Sequence, residues 1–135
     1  MQEKRVRDVM TRGVVTVRYS EALPKIAGIM ADENVSCIVI IDQNDETTGI
    51  ITSFDIMKAY GEKTEAELAG TTAEGIMTSL VYNASPEMTL KEASNIMLLK
   101  NIHRVVVFSS EGGRKPVGLL SARDIVREMT KKQGA

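Results

Sequence analysis

The 135-residue sequence lacks tryptophan and contains one cysteine, one histidine, three tyrosines and two phenylalanines. Cys37 lies in an apolar segment that reads as a buried strand, so it forms no intrachain disulfide and no cysteine cluster. His103 is the only histidine, which excludes a multi-histidine metal site within one chain. The few aromatic residues disfavour a base-stacking platform for single-stranded nucleic acid. We therefore predict no metal site and no direct binding of nucleic acid.

Charge of one sign and long apolar runs are also missing. A formal net charge of -1 gives no general attraction to nucleic acid or to anionic lipid. No apolar run is long enough to cross a bilayer, and the first residues lack the apolar region of a signal peptide. We therefore expect a cytoplasmic protein with one compact core or two halves that share a core, since 43% of the residues are hydrophobic.

An internal repeat is the main feature of the sequence. Met10-Thr11 recurs 67 residues later as Met77-Thr78, and Asn34 recurs as Asn101 at the same spacing. A polar motif at residues 49–56, Gly-Ile-Ile-Thr-Ser-Phe-Asp-Ile, recurs 69 residues later at residues 118–125 as Gly-Leu-Leu-Ser-Ala-Arg-Asp-Ile. The two extra residues of the second copy fall in a Gly-rich loop at 109–115, where an insertion is tolerated.

Each copy predicts the same order of elements, β-α-β-β-α, so the predicted fold class is α+β. The predicted strands are 14–17, 36–41 and 49–52 in the first copy and 80–82, 103–108 and 117–120 in the second. Apolar residues at Leu23, Ile26, Ala27 and Met30 form one face of a helix, with Ser20 as its predicted cap and Pro24 in its first turn. Thr89 and Glu92 have the spacing of a capping box, and both long helices end near an asparagine. Closing helices are predicted at 53–60 and 122–129.

The strands after each long helix are rich in β-branched residues and nearly continuous in apolar character, as expected of strands buried on both faces. The repeat predicts a first unit at 1–61, a linker at 62–74 with a helical turn at 66–69, a second unit at 75–132 and a tail at 133–135. Seven methionines recur at apolar-face positions or near turns, where core packing is the simpler explanation.

These motifs resemble those of a known family. Two β-α-β-β-α units, each opened by Val/Ile-Met-Thr and closed by Gly, two aliphatic residues, Ser/Thr-x-x-Asp and Ile, are similar to a pair of CBS (cystathionine-β-synthase) domains. The resemblance implies two three-stranded sheets packed about a pseudo-twofold axis, with two clefts between the halves. It also implies a regulatory module that binds an adenine nucleotide or an adenosyl ligand, with AMP, ADP or ATP expected, and that pairs into a homodimer.

The Ser/Thr-x-x-Asp motif allows two interpretations. A carboxylate at the start of a helix can accept hydrogen bonds from the two vicinal hydroxyls of a ribose, while the free N–H groups there favour a phosphate. The same spacing is that of a capping box, in which Asp55 and Asp124 satisfy only backbone donors. The spacing leaves both open; the family resemblance favours ligand binding in at least one cleft.

The resemblance assigns residues to the two clefts. The first cleft would contain Thr16, Ala22, Ser36, His103, Ser121, Arg123 and Asp124. The second would contain Thr52, Asp55, Asn83 and Ile102. A lone histidine is more often structural than functional, but the resemblance implies that His103 can face phosphates, and Arg123 could add a cation. Since Ser36 replaces His103 in the first copy, we expect the Asp124 cleft to bind a phosphorylated adenosine ligand more tightly.

Three other functions are compatible with parts of the sequence. Ser121, His103 and Asp124 offer the parts of a hydrolytic triad, but no G-x-S-x-G motif surrounds the serine and the first copy has no histidine. We therefore expect no catalysis and no required cofactor. An interaction module that binds no small molecule is the main alternative. Nucleic-acid binding is supported only by scattered basic residues near the two termini. Arg5 and Arg7 could reach a phosphate of the ligand, although a solvated basic face is the simpler explanation.

Overall fold

The computed structural model describes residues 3–131. In chain order its elements are α1 (Val6–Val9), β1 (Thr16–Arg18), α2 (Leu23–Glu33), β2 (Cys37–Ile41), β3 (Thr47–Thr52), α3 (Ser53–Glu62), α4 (Glu65–Ala69), α5 (Ala73–Ile76), β4 (Asn83–Ala84), α6 (Leu90–Lys100), β5 (Arg104–Phe108), β6 (Pro116–Ser121) and α7 (Ala122–Met129). They form two compact units. The first unit is Val15–Val81, and the second combines the described residues up to Val14 with those from Tyr82 onward.

The first unit contains a three-stranded sheet in the order β1-β2-β3. β1 runs parallel to β2, which is antiparallel to β3, and the pairing places Thr16 opposite Val39 and Cys37 opposite Thr52. All five residues of β2 are buried, whereas burial alternates along β3. The prediction of strands buried on both faces is therefore right for the central strand and wrong for β3, because β3 lies at the edge of the sheet. Cys37 is buried and forms no disulfide.

The second unit has the same topology, with strand order β4-β5-β6. β4 is parallel to β5, and β5 is antiparallel to β6, with Arg104 opposite Ser121. Its core includes Val105, Val107 and Leu120 from the sheet and Met97 from α6. The predicted α+β class, with two small three-stranded sheets, is thus confirmed.

The segments that open the two repeats do not pack with their own repeats. Residues 5–11, the first opening segment, belong to the second unit, where Thr11 and Leu119 exchange two backbone hydrogen bonds of 2.8 and 3.0 Å. Residues 72–78, the second opening segment, belong to the first unit, where Thr78 and Ile50 exchange bonds of 2.9 and 3.0 Å. The packed units and the sequence repeats therefore differ in where these segments lie.

Several predicted boundaries shift. The strand predicted at 80–82 is β4 at Asn83–Ala84, because pairing with β5 starts where the Tyr82 carbonyl accepts from the Val106 N–H. The strand predicted at 14–17 is β1 at Thr16–Arg18.

Ser20 is not the cap of α2, although Pro24 does lie in the first turn. The N-cap is Ala22, which makes no side-chain capping bond. The Leu23 N–H instead donates to the carbonyl of Thr71 at 2.9 Å, so backbone contacts replace the cap.

The other terminal signals are confirmed. Thr89 and Glu92 form the predicted capping box, and Asn34 and Asn101 end α2 and α6 in the left-handed conformation. The helical turn predicted at 66–69 is α4, and α5 begins within the segment predicted as a linker. The repeat boundaries 1–61 and 75–132 stay a prediction, and the tail at 133–135 lies outside the described residues. Within residues 3–131, no helix is both long and apolar enough to cross a bilayer.

Candidate functional site

The repeated polar motif lies at the junction of a strand with a helix in both units. In the second unit β6 ends at Ser121, which is the N-cap of α7. The Ser121 hydroxyl accepts from the Asp124 N–H at 3.3 Å, and Oδ2 of Asp124 accepts from the Ser121 N–H at 2.8 Å and from its hydroxyl at 3.1 Å. The capping-box interpretation is therefore confirmed for these bonds. They use only one of the two carboxylate oxygens.

The second oxygen of Asp124 is also engaged. Oδ1 accepts from the hydroxyl of Thr11 at 3.4 Å and from the guanidinium of Arg127. The Asp124 side chain is 5% exposed, whereas that of Arg127 is 63% exposed. A carboxylate has about four acceptor positions, so the protein's own donors fill the hydrogen-bonding capacity of Asp124.

The first unit repeats the junction without these extra partners. The hydroxyl of Thr52, the N-cap of α3, accepts from the Asp55 N–H at 3.3 Å, and Oδ2 of Asp55 accepts from the Thr52 N–H at 2.8 Å and its hydroxyl at 3.1 Å. Within residues 3–131, Oδ1 of Asp55 has no hydrogen-bond partner. The position that corresponds to Arg127 is Lys58, which is exposed. The two junctions thus share a cap and differ at one carboxylate oxygen.

His103 and Arg123 lie beside the second junction. His103 is exposed and directly precedes β5, and its carbonyl accepts from the Ala122 N–H at 2.8 Å. That bond holds the backbone of His103 against the first residue of α7, next to exposed Arg123. The corresponding bond in the first unit runs from the Ser53 N–H to the Ser36 carbonyl at 3.0 Å. Ser36 precedes the central strand β2 and His103 precedes the central strand β5. Each therefore lies at the junction of its own unit.

The remaining predicted residues lie on other elements. Exposed Thr16 is in β1, and exposed Asn83 is in β4. Ala22 caps α2, and Ile102 packs against the core of the second unit. Thr16, Ala22, Ser36, Thr52 and Asp55 therefore belong to the first unit, and Asn83, Ile102, His103, Ser121, Arg123 and Asp124 to the second. Their grouping into two clefts stays a prediction.

Thr11 and Arg127 are site residues that the sequence motifs did not predict. Thr11 is part of the repeated Met-Thr pair, yet the motif alone does not reveal that it contacts an aspartate 113 residues away. Arg127 follows Asp124 at a spacing of three, which places both on one face of a helix and was the available signal.

The first unit also contains a pocket that its junction residue Asp55 does not line. An apolar pocket of about 310 Å³ lies in the first unit, lined by Ala27, Met30, Ala31, Val35, Ser53, Ile56 and Met57. No three or more His, Cys, Asp or Glu side chains within residues 3–131 are grouped so that they could hold a metal ion.

Comparison with known proteins decides the family. A family model described as CBS domain matches twice, over residues 6–62 and 73–131. The chain belongs to the CBS-domain family. The CBS domain pair of protein MJ0100, solved in complex with 5′-methylthioadenosine and S-adenosyl-L-methionine, superposes with a TM-score of 0.81 and is 28% identical, covering 95% of this chain and 97% of that one. An uncharacterized protein of Pyrococcus horikoshii superposes with a TM-score of 0.83 at 19% identity, covering 100% and 99%, and supports the fold alone.

Two curated relatives are longer proteins that match this chain over one part of their length. A homoserine O-acetyltransferase of Methanococcoides burtonii is 30% identical over 122 residues, which is 90% of this chain and 23% of the relative. An inosine-5′-monophosphate dehydrogenase of Methanocaldococcus jannaschii is 25% identical over 132 residues, or 98% of this chain and 25% of the relative. The chain thus spans about a quarter of these enzymes. CBS pairs are typically regulatory, and here the matching region is a minor part of each enzyme.

Proposed function

We propose that this CBS pair is a regulatory module that binds an adenine nucleotide or another adenosyl compound and signals to a separate protein. The observation that carries the proposal is the duplicated junction, in which a Ser or Thr hydroxyl and an Asp carboxylate begin a helix in each unit. The pair of MJ0100, which is 28% identical, was solved with two adenosyl compounds. AMP, ADP and ATP are the proposed ligands, with no resident cofactor.

The ribose and the phosphate of such a ligand each have candidate partners. Asp55 and Asp124 are the proposed acceptors for the vicinal hydroxyls of a ribose, with Thr52 and Ser121 beside them. A phosphate would bind near the start of α7, where His103 and Arg123 are exposed. The proposed first cleft combines Thr16, Ala22, Ser36, His103, Ser121, Arg123 and Asp124, and the second combines Thr52, Asp55, Asn83 and Ile102.

Charge supports different ligands at the two junctions. Among residues 3–131, the second unit has twelve Lys and Arg against seven Asp and Glu, whereas the first has four against eleven. A basic unit raises the local concentration of anions, and an acidic one lowers it. The Asp124 site is therefore proposed to prefer phosphorylated adenosine.

The role is proposed to be regulatory and not catalytic. In the enzymes that match, the CBS pair is a minor part of the chain, so their catalytic activities are not transferred to this protein. Regulation requires that the ligand binds one arrangement of the module more tightly than another. The regulated partner is proposed to be a separate protein.

A homodimer is part of the proposal. Phe54, Met57 and Tyr60 on α3 are 63%, 62% and 76% exposed, an unusual apolar surface for a short helix. Burial against a second copy would remove this surface from water.

The alternative function, an interaction module that binds no small molecule, is favoured by the same surface and by the capping bonds that engage both junctions.

Mass spectrometry of ligand released from the purified protein, combined with thermal shifts, tests the proposal. We expect an adenosyl compound to be released, or the melting temperature to rise with at least one of AMP, ADP, ATP, 5′-methylthioadenosine and S-adenosyl-L-methionine. Guanosine monophosphate is the control for base recognition. No released ligand and no shift with any adenosyl compound would favour the interaction module.

A further inference from the structure

We propose that Arg127 determines which ligands the Asp124 site accepts. Arg127 competes with the ribose for the Asp124 carboxylate, so this site binds phosphorylated adenosine and rejects uncharged adenosine. The Asp55 site, which has no such competitor, binds both. This inference rests on the proposed function and adds a selectivity rule to it.

The two carboxylates differ in the number of acceptor positions that remain for a ligand. Four donors reach Asp124: the Ser121 N–H and hydroxyl on Oδ2, and the Thr11 hydroxyl and Arg127 guanidinium on Oδ1. A ribose can bind there only after it displaces a donor from Oδ1. The 3.4 Å contact with Thr11 is long, so the charged Arg127 is the stronger competitor.

The Asp55 site needs no displacement. Thr52 supplies both donors to Oδ2 of Asp55, and no donor within the described part of the chain reaches Oδ1. Lys58 occupies the position of Arg127 and makes no ion pair with Asp55 there. The hydroxyls of a ribose can therefore donate to Oδ1 of Asp55, which is held in place by the capping bonds and has no other donor to displace.

Displacement of Arg127 from Asp124 is energetically unfavourable. The Asp124 side chain is 5% exposed, so its charge is poorly solvated once the guanidinium has left. Ribose hydroxyls restore hydrogen bonds but bring no positive charge. When uncharged adenosine binds, the Asp124 carboxylate thus loses a charged partner and gains only neutral ones. This loss weakens the binding of adenosine.

A phosphate offsets that cost. Arg127 is 63% exposed and can rotate away from Asp124 without crossing the core. Once released from Asp124, the guanidinium of Arg127 adds a second cation to that of Arg123, so a phosphate near the start of α7 finds charge-assisted donors. The same arginine therefore opposes ribose binding alone and supports the binding of a ribose that carries a phosphate.

Titration calorimetry with adenosine and ADP tests this rule at the Asp124 site alone, in protein that carries Asp55→Asn. We expect ADP to bind this variant and adenosine to bind at least about tenfold more weakly. Adding Arg127→Ala should tighten adenosine binding about tenfold and weaken ADP binding, so the ratio of the two affinities narrows. Arg127→Gln, which keeps the length of the side chain, should act in the same direction.

Two controls separate this effect from a general one. Lys58→Ala removes the corresponding cation in the first unit and should leave adenosine binding by the Asp55→Asn protein unchanged. Melting temperatures show whether each variant is folded. If adenosine binds the Asp55→Asn variant as tightly as it binds the variant that also carries Arg127→Ala, the inference is wrong although the proposed function stands. If wild type and all variants bind neither compound, the inference is also wrong, and the thermal shifts with AMP, ATP, 5′-methylthioadenosine and S-adenosyl-L-methionine decide the proposed function.

Discussion

At the scale of single residues, the glycine of the repeated motif is explained by the opening segments. A Cβ atom at Gly49 would lie 2.8 Å from Sδ of Met77 and 2.8 Å from the carbonyl oxygen of Thr78. At Gly118 it would lie 2.6 Å from Sδ of Met10 and 3.0 Å from the Thr11 oxygen. The Met-Thr pair and the glycine thus form one structural feature, in which two backbones approach too closely for a side chain.

We therefore expect Gly49→Ala to destabilise the protein by about 1–3 kcal/mol, because the backbone of Thr78 must move to admit the methyl group. Gly28→Ala is the matched control, since Gly28 lies within α2 and a Cβ there meets nothing within 4 Å. It should stabilise the protein by about 0.5–1 kcal/mol. Urea unfolding measures both changes. Equal stability of Gly49→Ala and wild type would show that this close approach has no energetic consequence.

At the scale of elements, capping boxes with a Ser or Thr N-cap begin four helices within residues 3–131. Thr64 with Glu67 and Thr89 with Glu92 form capping boxes of the same kind as those at the two junctions. Hydrogen bonds from the Thr89 backbone N–H, and then from its side chain, lower the pKa of Glu92 below its ordinary value of 4.5. The motif therefore caps helices throughout this protein. Asp55 and Asp124 are candidate ligand acceptors because of the residues that surround them.

The cap at Glu92 predicts a contribution to stability that depends on pH. Because its pKa is lower in the folded protein than in the unfolded chain, the carboxylate stabilises the fold above pH 4.5 and less as the pH falls through the folded-state pKa. We expect Glu92→Gln to reduce the acid dependence of the free energy of unfolding below pH 4.5. Glu111→Gln, in an exposed loop, is the control. An unchanged acid dependence in Glu92→Gln would contradict this role of the cap.

Local signals explain which elements could be predicted from the sequence. The helix ends at Asn34 and Asn101 and the cap at Thr89 were predicted because each depends on neighbouring residues. β1 and β4 were misplaced because a strand of two or three residues is defined by its pairing partner and not by its own pattern. The pairing of Asp124 with Thr11 depends on the exchanged opening segment, and no repeat in the sequence reveals that exchange.

At the scale of the whole molecule, a net charge of -1 conceals two units of opposite charge. The repeat gives both units the same fold, the same cap and the same close approach at glycine. Sequence differences then make the second unit basic and add His103 and Arg123 at its junction. Duplication thus explains why there are two candidate sites, and divergence explains why we expect them to bind different ligands.

Titration calorimetry of ADP with wild type, Asp55→Ala, Asp124→Ala and the double variant tests the central claim that the two aspartates hold adenosine ligands. Each single variant should lose one site, with the larger loss of affinity in Asp124→Ala, and the folded double variant should bind no ADP. Binding of ADP to the double variant as tightly as to wild type would contradict the claim. Equal losses in the two single variants would contradict the proposed difference between the sites.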